Sequence, residues 1–199
     1  MSVKFSQSEK FQMYYCTFTC VDWLPLFELV DFYEEIYHWF DLTGKSGNDI
    51  VGFVIMPNHL HILIHVKEQS INKILSNGKR FMAYEIVKRL KDSKNTDILN
   101  SLASKVTAKE RERKKMHRVF EISSDIKPCY TKNFFLQKLN YIHNNPVSGR
   151  WNLATSSVDY FHSSAAFYEL NMKHTNVNII HYEDISTSVS SPAGDDTGH

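Results

Sequence analysis

The stretch Val54-Ile55-Met56-Pro57-Asn58-His59-Leu60-His61-Ile62-Leu63-Ile64 constrains this chain more than any other. Apolar, mostly β-branched residues run on either side of Pro57-Asn58, a pair suited to a turn. The pattern predicts two strands, at 50–56 and 60–66, joined most simply as an antiparallel hairpin. Successive side chains of a strand alternate between faces, so residues i and i+2 lie on one face about 7 Å apart. His59 and His61 then point the same way, with Leu60 and Ile62 buried behind them, and His65 falls on the same face. Two imidazoles on one rigid strand can be offered together to a metal ion. On spacing alone, an edge strand carrying solvated histidines remains the alternative.

The surrounding pattern supplies the rest of a fold. Residues 13–21 are aromatic and β-branched and read as a strand, and residues 26–40 have apolar positions at helical spacing. A turn is expected at 43–49. A helix is expected at 71–90, with Ser70 as its N-cap and Gly78 interrupting its apolar stripe. The polar segment 91–116 suggests a peripheral helix or helix pair. Residues 119–122 are a candidate fourth strand, and a helix over 134–145 stops before Pro146. The Ser/Thr/Gly/Asp-rich tail at 186–199 lacks an apolar face and is expected to be disordered. The order strand, helix, strand, strand, helix, strand predicts one α+β domain over 1–185, a ferredoxin-like sandwich. Its histidine strand would lie centrally, with one sheet face on helices and the other left for a site.

Bulk properties narrow the setting. The 199 residues suit a single domain with a sizeable core, and 42% apolar and 23% charged residues are those of an ordinary globular protein. The formal net charge is +1, so any basic surface has to be local. Two such segments exist, one with Lys79, Arg80, Lys88, Arg89, Lys91 and Lys94, the other spanning 105–118. Charge runs of this kind are usually solvated faces. Cys16, Cys20 and Cys129 are too few and wrongly spaced for a zinc cage, and no apolar run reaches membrane-spanning length. A cytoplasmic, membrane-free protein is expected.

A second segment, Lys138-Leu139-Asn140-Tyr141-Ile142-His143-Asn144-Asn145-Pro146-Val147, offers what a histidine pair lacks. Tyr141 and Asn145 are i and i+4 on one helix face. The amide oxygen of Asn145 suits a hard divalent ion, and the Tyr141 phenol is a possible nucleophile. Read alone, the segment is equally a core tyrosine followed by an Asn-Pro helix stop.

Together, Met56-Pro57-Asn58-His59-Leu60-His61 and, about 80 residues later, Tyr141-Ile142-His143-Asn144-Asn145-Pro146-Val147 resemble the HUH single-tyrosine transposases, and among them the REP-associated tyrosine transposases. Tyr15-Cys16-Thr17-Phe18-Thr19 is similar to their first strand, and Tyr160-Phe161-His162-Ser163-Ser164-Ala165 with Tyr168 to a segment after their tyrosine helix. The resemblance covers about residues 10–170. It implies the same ferredoxin-like fold, a catalytic Mg²⁺ or Mn²⁺ held by His59, His61 and Asn145, and Tyr141 as nucleophile on single-stranded DNA. It further implies a 5′-phosphotyrosine intermediate, hairpin or palindromic repeat DNA as substrate, and a monomer or homodimer. Lys79, Arg80, Lys114, Lys115 and Arg118 are candidate DNA contacts. The competing readings are a non-catalytic binder of structured single strands and an unrelated metal-dependent hydrolase.

Overall fold

In a computed structural model, residues 12–67, 69–122, 125–149 and 151–185 are described; the tail expected at 186–199 lies outside them. The strands β1 (Met13–Thr19), β2 (Asp49–Met56), β3 (His59–His65) and β4 (Ile126–Pro128) form one antiparallel sheet in the order β2-β3-β1-β4. The ferredoxin-like α+β arrangement is therefore present, with the histidine strand in the interior of the sheet. An exposed edge strand is excluded, since His59 and His61 are 4% and 5% accessible.

The register assigns side chains to two faces. Thr19 pairs with His59 and Met56 with His59; Thr17 and Val54 both pair with His61; Tyr15 and Gly52 both pair with Leu63. These residues share the histidine face. The opposite face carries Cys16, Phe18, Phe53, Ile55, Leu60, Ile62 and Ile64, all fully buried. Against it lie α2 (Tyr33–Lys45) and α3 (Ile71–Asp92), which bury Ile36, Phe40, Met82, Ile86 and Leu90 into one core. Between β1 and α2, Leu26–Leu29 forms a short helix, α1.

The histidine face is not open, contrary to expectation. Helix α6 (Lys132–Asn144) covers part of it, burying Phe135, Leu139 and Ile142 against Tyr15, Val54, Met56 and Leu63. Gly52 makes this approach possible, because a Cβ there would stand 2.8 Å from a Leu139 methyl.

Four expected elements differ in detail. The helix foreseen at 26–40 breaks into α1 and α2 because Asp31 adopts φ 48° and Phe32 turns back to bond Phe27 O, stacking on its ring. The turn expected from Thr43 starts only after Lys45, where Gly47 takes φ 86°. Ser70 occupies the N-cap of α3, but its side chain makes no capping bond. The fourth strand is Ile126–Pro128, paired with Tyr14 to Cys16, whereas 119–122 contributes only a single bridge between Phe120 and Cys20. The polar segment is indeed a helix pair: α4 (Thr96–Ser104), capped by the Asn95 side chain, and α5 (Ala108–Glu112), with a Thr107–Glu110 capping box. A final helix, α7 (Ala165–Leu170), follows a segment that closes the outer edge of β2: Ile55 N bonds His162 O at 2.8 Å and Ser164 N bonds Phe53 O at 3.0 Å.

Candidate active site

At the start of β3 the two histidines sit with ring centroids 4.8 Å apart, their planes inclined by 75°. Each ring is held through Nδ1. His59 Nδ1 lies 2.6 Å from the Asn58 amide oxygen, and Asn58 is itself fully buried. His61 Nδ1 lies 2.9 Å from both the Tyr15 hydroxyl and the Thr17 hydroxyl, which β1 brings over by its antiparallel register. An amide oxygen can only accept, so His59 carries its proton on Nδ1. Coordination of a metal by either ring would therefore run through Nε2. Burial, the neighbouring His59 and the charge of Lys138 push His61 down to about 3, against a hydrogen bond that its ring donates to the Asn145 side chain, which pulls upward. The ring is thus neutral at ordinary pH, as a ligand must be. Burial also drives the Tyr15 phenol upward, so that it remains a hydroxyl.

Helix α6 delivers the tyrosine. Tyr141 is 50% accessible and presents its ring edge to His61 at a centroid distance of 5.4 Å and to Tyr15 at 6.4 Å. Lys138, one turn earlier, holds its ammonium 5.5 Å from the Tyr141 ring and 4.8 Å from that of Tyr15. Asn145 keeps helical angles at the end of α6, and its amide nitrogen donates to Tyr141 O at 2.7 Å. Its side-chain oxygen, within hydrogen-bonding reach of the His61 ring, is the atom it would offer to a cation. The core-tyrosine reading of this segment does not hold: Ile142 and His143 point inward, while Tyr141 faces a cleft.

That cleft has a volume of about 310 Å³ and is lined by His59, His61, Tyr141 and Asn145, with Trp23 and Trp151 among the other lining residues. Among the described residues no three His, Cys, Asp or Glu side chains cluster to hold a metal ion. A third protein ligand has to be of another kind, and the amide of Asn145 is in place. Two imidazoles and an amide oxygen fit a divalent cation such as Mg²⁺ or Mn²⁺ that also takes phosphate and water oxygens.

The basic residues lie elsewhere. Lys79, Arg80, Lys114 and Lys115 line a larger groove, about 960 Å³, between α3 and the 114–122 segment on the other side of the sheet. It is the more capacious hollow and is lined by Asp92, Glu110, His117 and Glu121 as well, but among the described residues no three His, Cys, Asp or Glu side chains gather there to hold a metal ion. Arg118 is not presented to that groove. Its side chain is 11% accessible and bonds the Glu110 carboxylate, which Lys115 also engages. These cations hold Glu110 below the usual carboxylate range. Lys79 is partly committed as well, with its ammonium over the Phe18 and Phe120 rings and donating to Glu121 O.

Sequence reasoning missed Tyr15, Thr17, Asn58, Trp23 and Lys138. The hydroxyls of Tyr15 and Thr17 follow from the β1–β3 register once it is known, and Lys138 from its i, i+3 spacing to Tyr141. His65, which shares the histidine face, is tied to Asp49 and Gln12 at the far end of the strand and takes no part.

No family profile and no curated protein matches the chain. Among solved structures, one of a REP-associated tyrosine transposase bound to a REP hairpin matches with a TM-score of 0.50 and 12% identity, covering 83% of each chain. A candidate transposase of Deinococcus radiodurans R1 matches at 14% identity with a TM-score of 0.36, over 71% of this chain and 96% of that one. No helix among the described residues is long and apolar enough to cross a membrane. In backbone architecture, this chain has the fold of a REP-associated tyrosine transposase.

Proposed function

We propose that the protein is a metal-dependent single-stranded DNA endonuclease and strand transferase, a transposase that forms a covalent tyrosine intermediate. The observation that carries this reading is the Tyr141 ring standing edge-on to His61 at a centroid distance of 5.4 Å, with Asn145 one turn further along the same helix. A tyrosine whose role was packing would be buried; this one is half exposed beside two oriented imidazoles.

His59, His61 and Asn145 would hold a divalent cation, which when bound neutralises charge on a phosphodiester. Tyr141 Oη attacks the phosphorus, the bond to the 3′-oxygen breaks and that oxygen takes up a proton from solvent, so that a 5′-phosphotyrosine and a free 3′-hydroxyl result. The phenol proton leaves to solvent, which reaches half of the side chain. Lys138 sets a positive charge beside the Tyr141 ring, where it attracts an incoming phosphate. The ester linkage is conserved, and a strand hydroxyl can reverse the step to rejoin DNA without a nucleotide cofactor. The matched transposase was solved with a REP hairpin, and we assign a hairpin or palindromic repeat as the substrate class here too. Arg80, Lys114 and Lys115 supply exposed cations for its phosphates.

The test is incubation of labelled hairpin-bearing single strands with Mn²⁺ or with EDTA, resolved on a denaturing protein gel. A Mn²⁺-dependent, detergent-resistant adduct that disappears in Tyr141→Phe, with DNA binding kept, is the expected result. Cleavage retained in the variant would refute the reading, and binding without any adduct would leave only a DNA-binding role.

A further inference from the structure

Trp23 is 53% accessible, on the rim of the cleft, with its ring edge-on to His59 at a centroid distance of 5.6 Å. A large apolar ring gains little from being left in water, so packing does not account for its placement. Nor does the backbone favour it. Asp22 and Trp23 both adopt left-handed angles, φ 52° and 57°, a conformation that non-glycine residues hold only where their surroundings fix it. The surroundings over-determine this turn: the buried Asn58 amide donates to Trp23 O at 2.9 Å, Trp23 N bonds Cys20 O, and Asp22 N bonds a Glu121 carboxylate oxygen. The chain thus spends packing and hydrogen bonds to hold an indole at the mouth of the cleft. Trp151 lines the same cleft, so two of the three tryptophans of the protein border it.

We propose that Trp23 is a stacking platform for a nucleobase next to the phosphate that is cleaved. The inference rests on the nuclease reading above and deepens it, by naming a contact that recognises the base of a single strand where the catalytic groups recognise only its phosphate. An exposed aromatic face beside a phosphate site is how single strands are gripped without dependence on base identity. A base in a duplex has its faces covered by its neighbours, so the platform selects unpaired nucleotides for the cleft. The bond that Asn58 donates to the Trp23 carbonyl, together with the one it accepts from His59, sets the indole and the first histidine in a fixed relation.

The test uses the full chain with Tyr141→Phe and EDTA, so that binding is read without chemistry. Fluorescence anisotropy compares a labelled oligodeoxyadenylate with an abasic strand of equal length and charge. Trp23→Ala is expected to weaken the oligodeoxyadenylate complex by about 5- to 100-fold and to leave abasic binding unchanged, while Trp23→Phe restores most of the loss. Equal losses on both strands would mean that Trp23 only supports the fold of the cleft, and no loss on either would remove it from the interface; both overturn the platform. Adduct formation with Tyr141 intact is scored separately. An adduct without base-dependent binding leaves the nuclease reading standing and sinks the platform alone, whereas no adduct on any hairpin strikes the nuclease reading itself.

Discussion

Asn58 shows how one residue can set the chemistry of its neighbour. It has no accessible surface, and its amide bridges the His59 ring to the Trp23 carbonyl. Asn58→Leu keeps the volume but removes the acceptor of the His59 ring proton and the side-chain donor to the Trp23 carbonyl. Stability should fall by about 1–3 kcal/mol in urea denaturation, and Mn²⁺ affinity, read by titration, by about 10- to 100-fold. An unchanged affinity would remove Asn58 from the site. The place of Asn58 before His59 is visible in the sequence, but its partner is not, because a left-handed tryptophan 35 residues earlier carries no local pattern. His162 makes a different prediction. Stacked on Tyr33 and bonded to the Tyr37 hydroxyl, it is lowered to about 4, chiefly by burial and further by His174. The unfolded ring titrates near 6.5. Unfolding therefore takes up a proton between those values, and this contribution to stability, complete above about pH 6.5, is lost as pH falls towards 4. Urea midpoints between pH 7.5 and 5 should drop in the parent chain and less steeply in His162→Gln, with His174, also lowered, contributing a remainder.

At the scale of elements, the sequence made β2, β3, α3 and the end of α6 legible because periodicity and Pro57 and Pro146 mark them. What it could not show was which surfaces meet. Gly78 reads as a gap in the apolar stripe of α3, yet it is the notch that admits the Trp39 ring, which a Cβ would meet at 2.7–2.8 Å. The strand expected at 119–122 is absent for a related reason. Val119 and Phe120 are buried while Ile122 is exposed, and Phe120 packs into the helical layer rather than continuing a ladder. The two histidines and the Tyr141–Asn145 pair were legible as separate fragments; that α6 crosses the histidine face, bringing them together, depends on Gly52. Gly52→Ala should therefore shift α6 outward, cost about 1–3 kcal/mol by overpacking, and slow adduct formation by about 100-fold through a small displacement of Tyr141. Gly44, in α2, is the control, because a Cβ added there would meet nothing within 4 Å. Gly44→Ala should be neutral or stabilising by up to about 1 kcal/mol. Equal effects at both glycines would contradict the role given to Gly52.

For the whole molecule, the open question is whether the tyrosine serves its own chain. Sheets associate most readily through free edge strands, and here both edges are poor candidates. The outer edge of β2 is engaged by the chain itself, at His162, Ser164 and Ile180. The other edge strand, β4, has three residues, and one of them is Pro128, which has no N–H to offer. Meanwhile Tyr141 already lies beside His61 of the same chain, with Asn145 bonded to it, so no partner is needed to complete the cleft. These features predict a monomer acting in cis. Tyr141→Phe and His59→Ala should each abolish the adduct, and mixing the two proteins should not restore it, because neither chain then holds both groups in one cleft. The mixture is the sharper measurement than size alone, since a dimer with two self-sufficient clefts would also fail to complement. Recovery of an adduct in the mixture would show instead that α6 exchanges between chains, and would move Tyr141 from its own histidines to those of a partner.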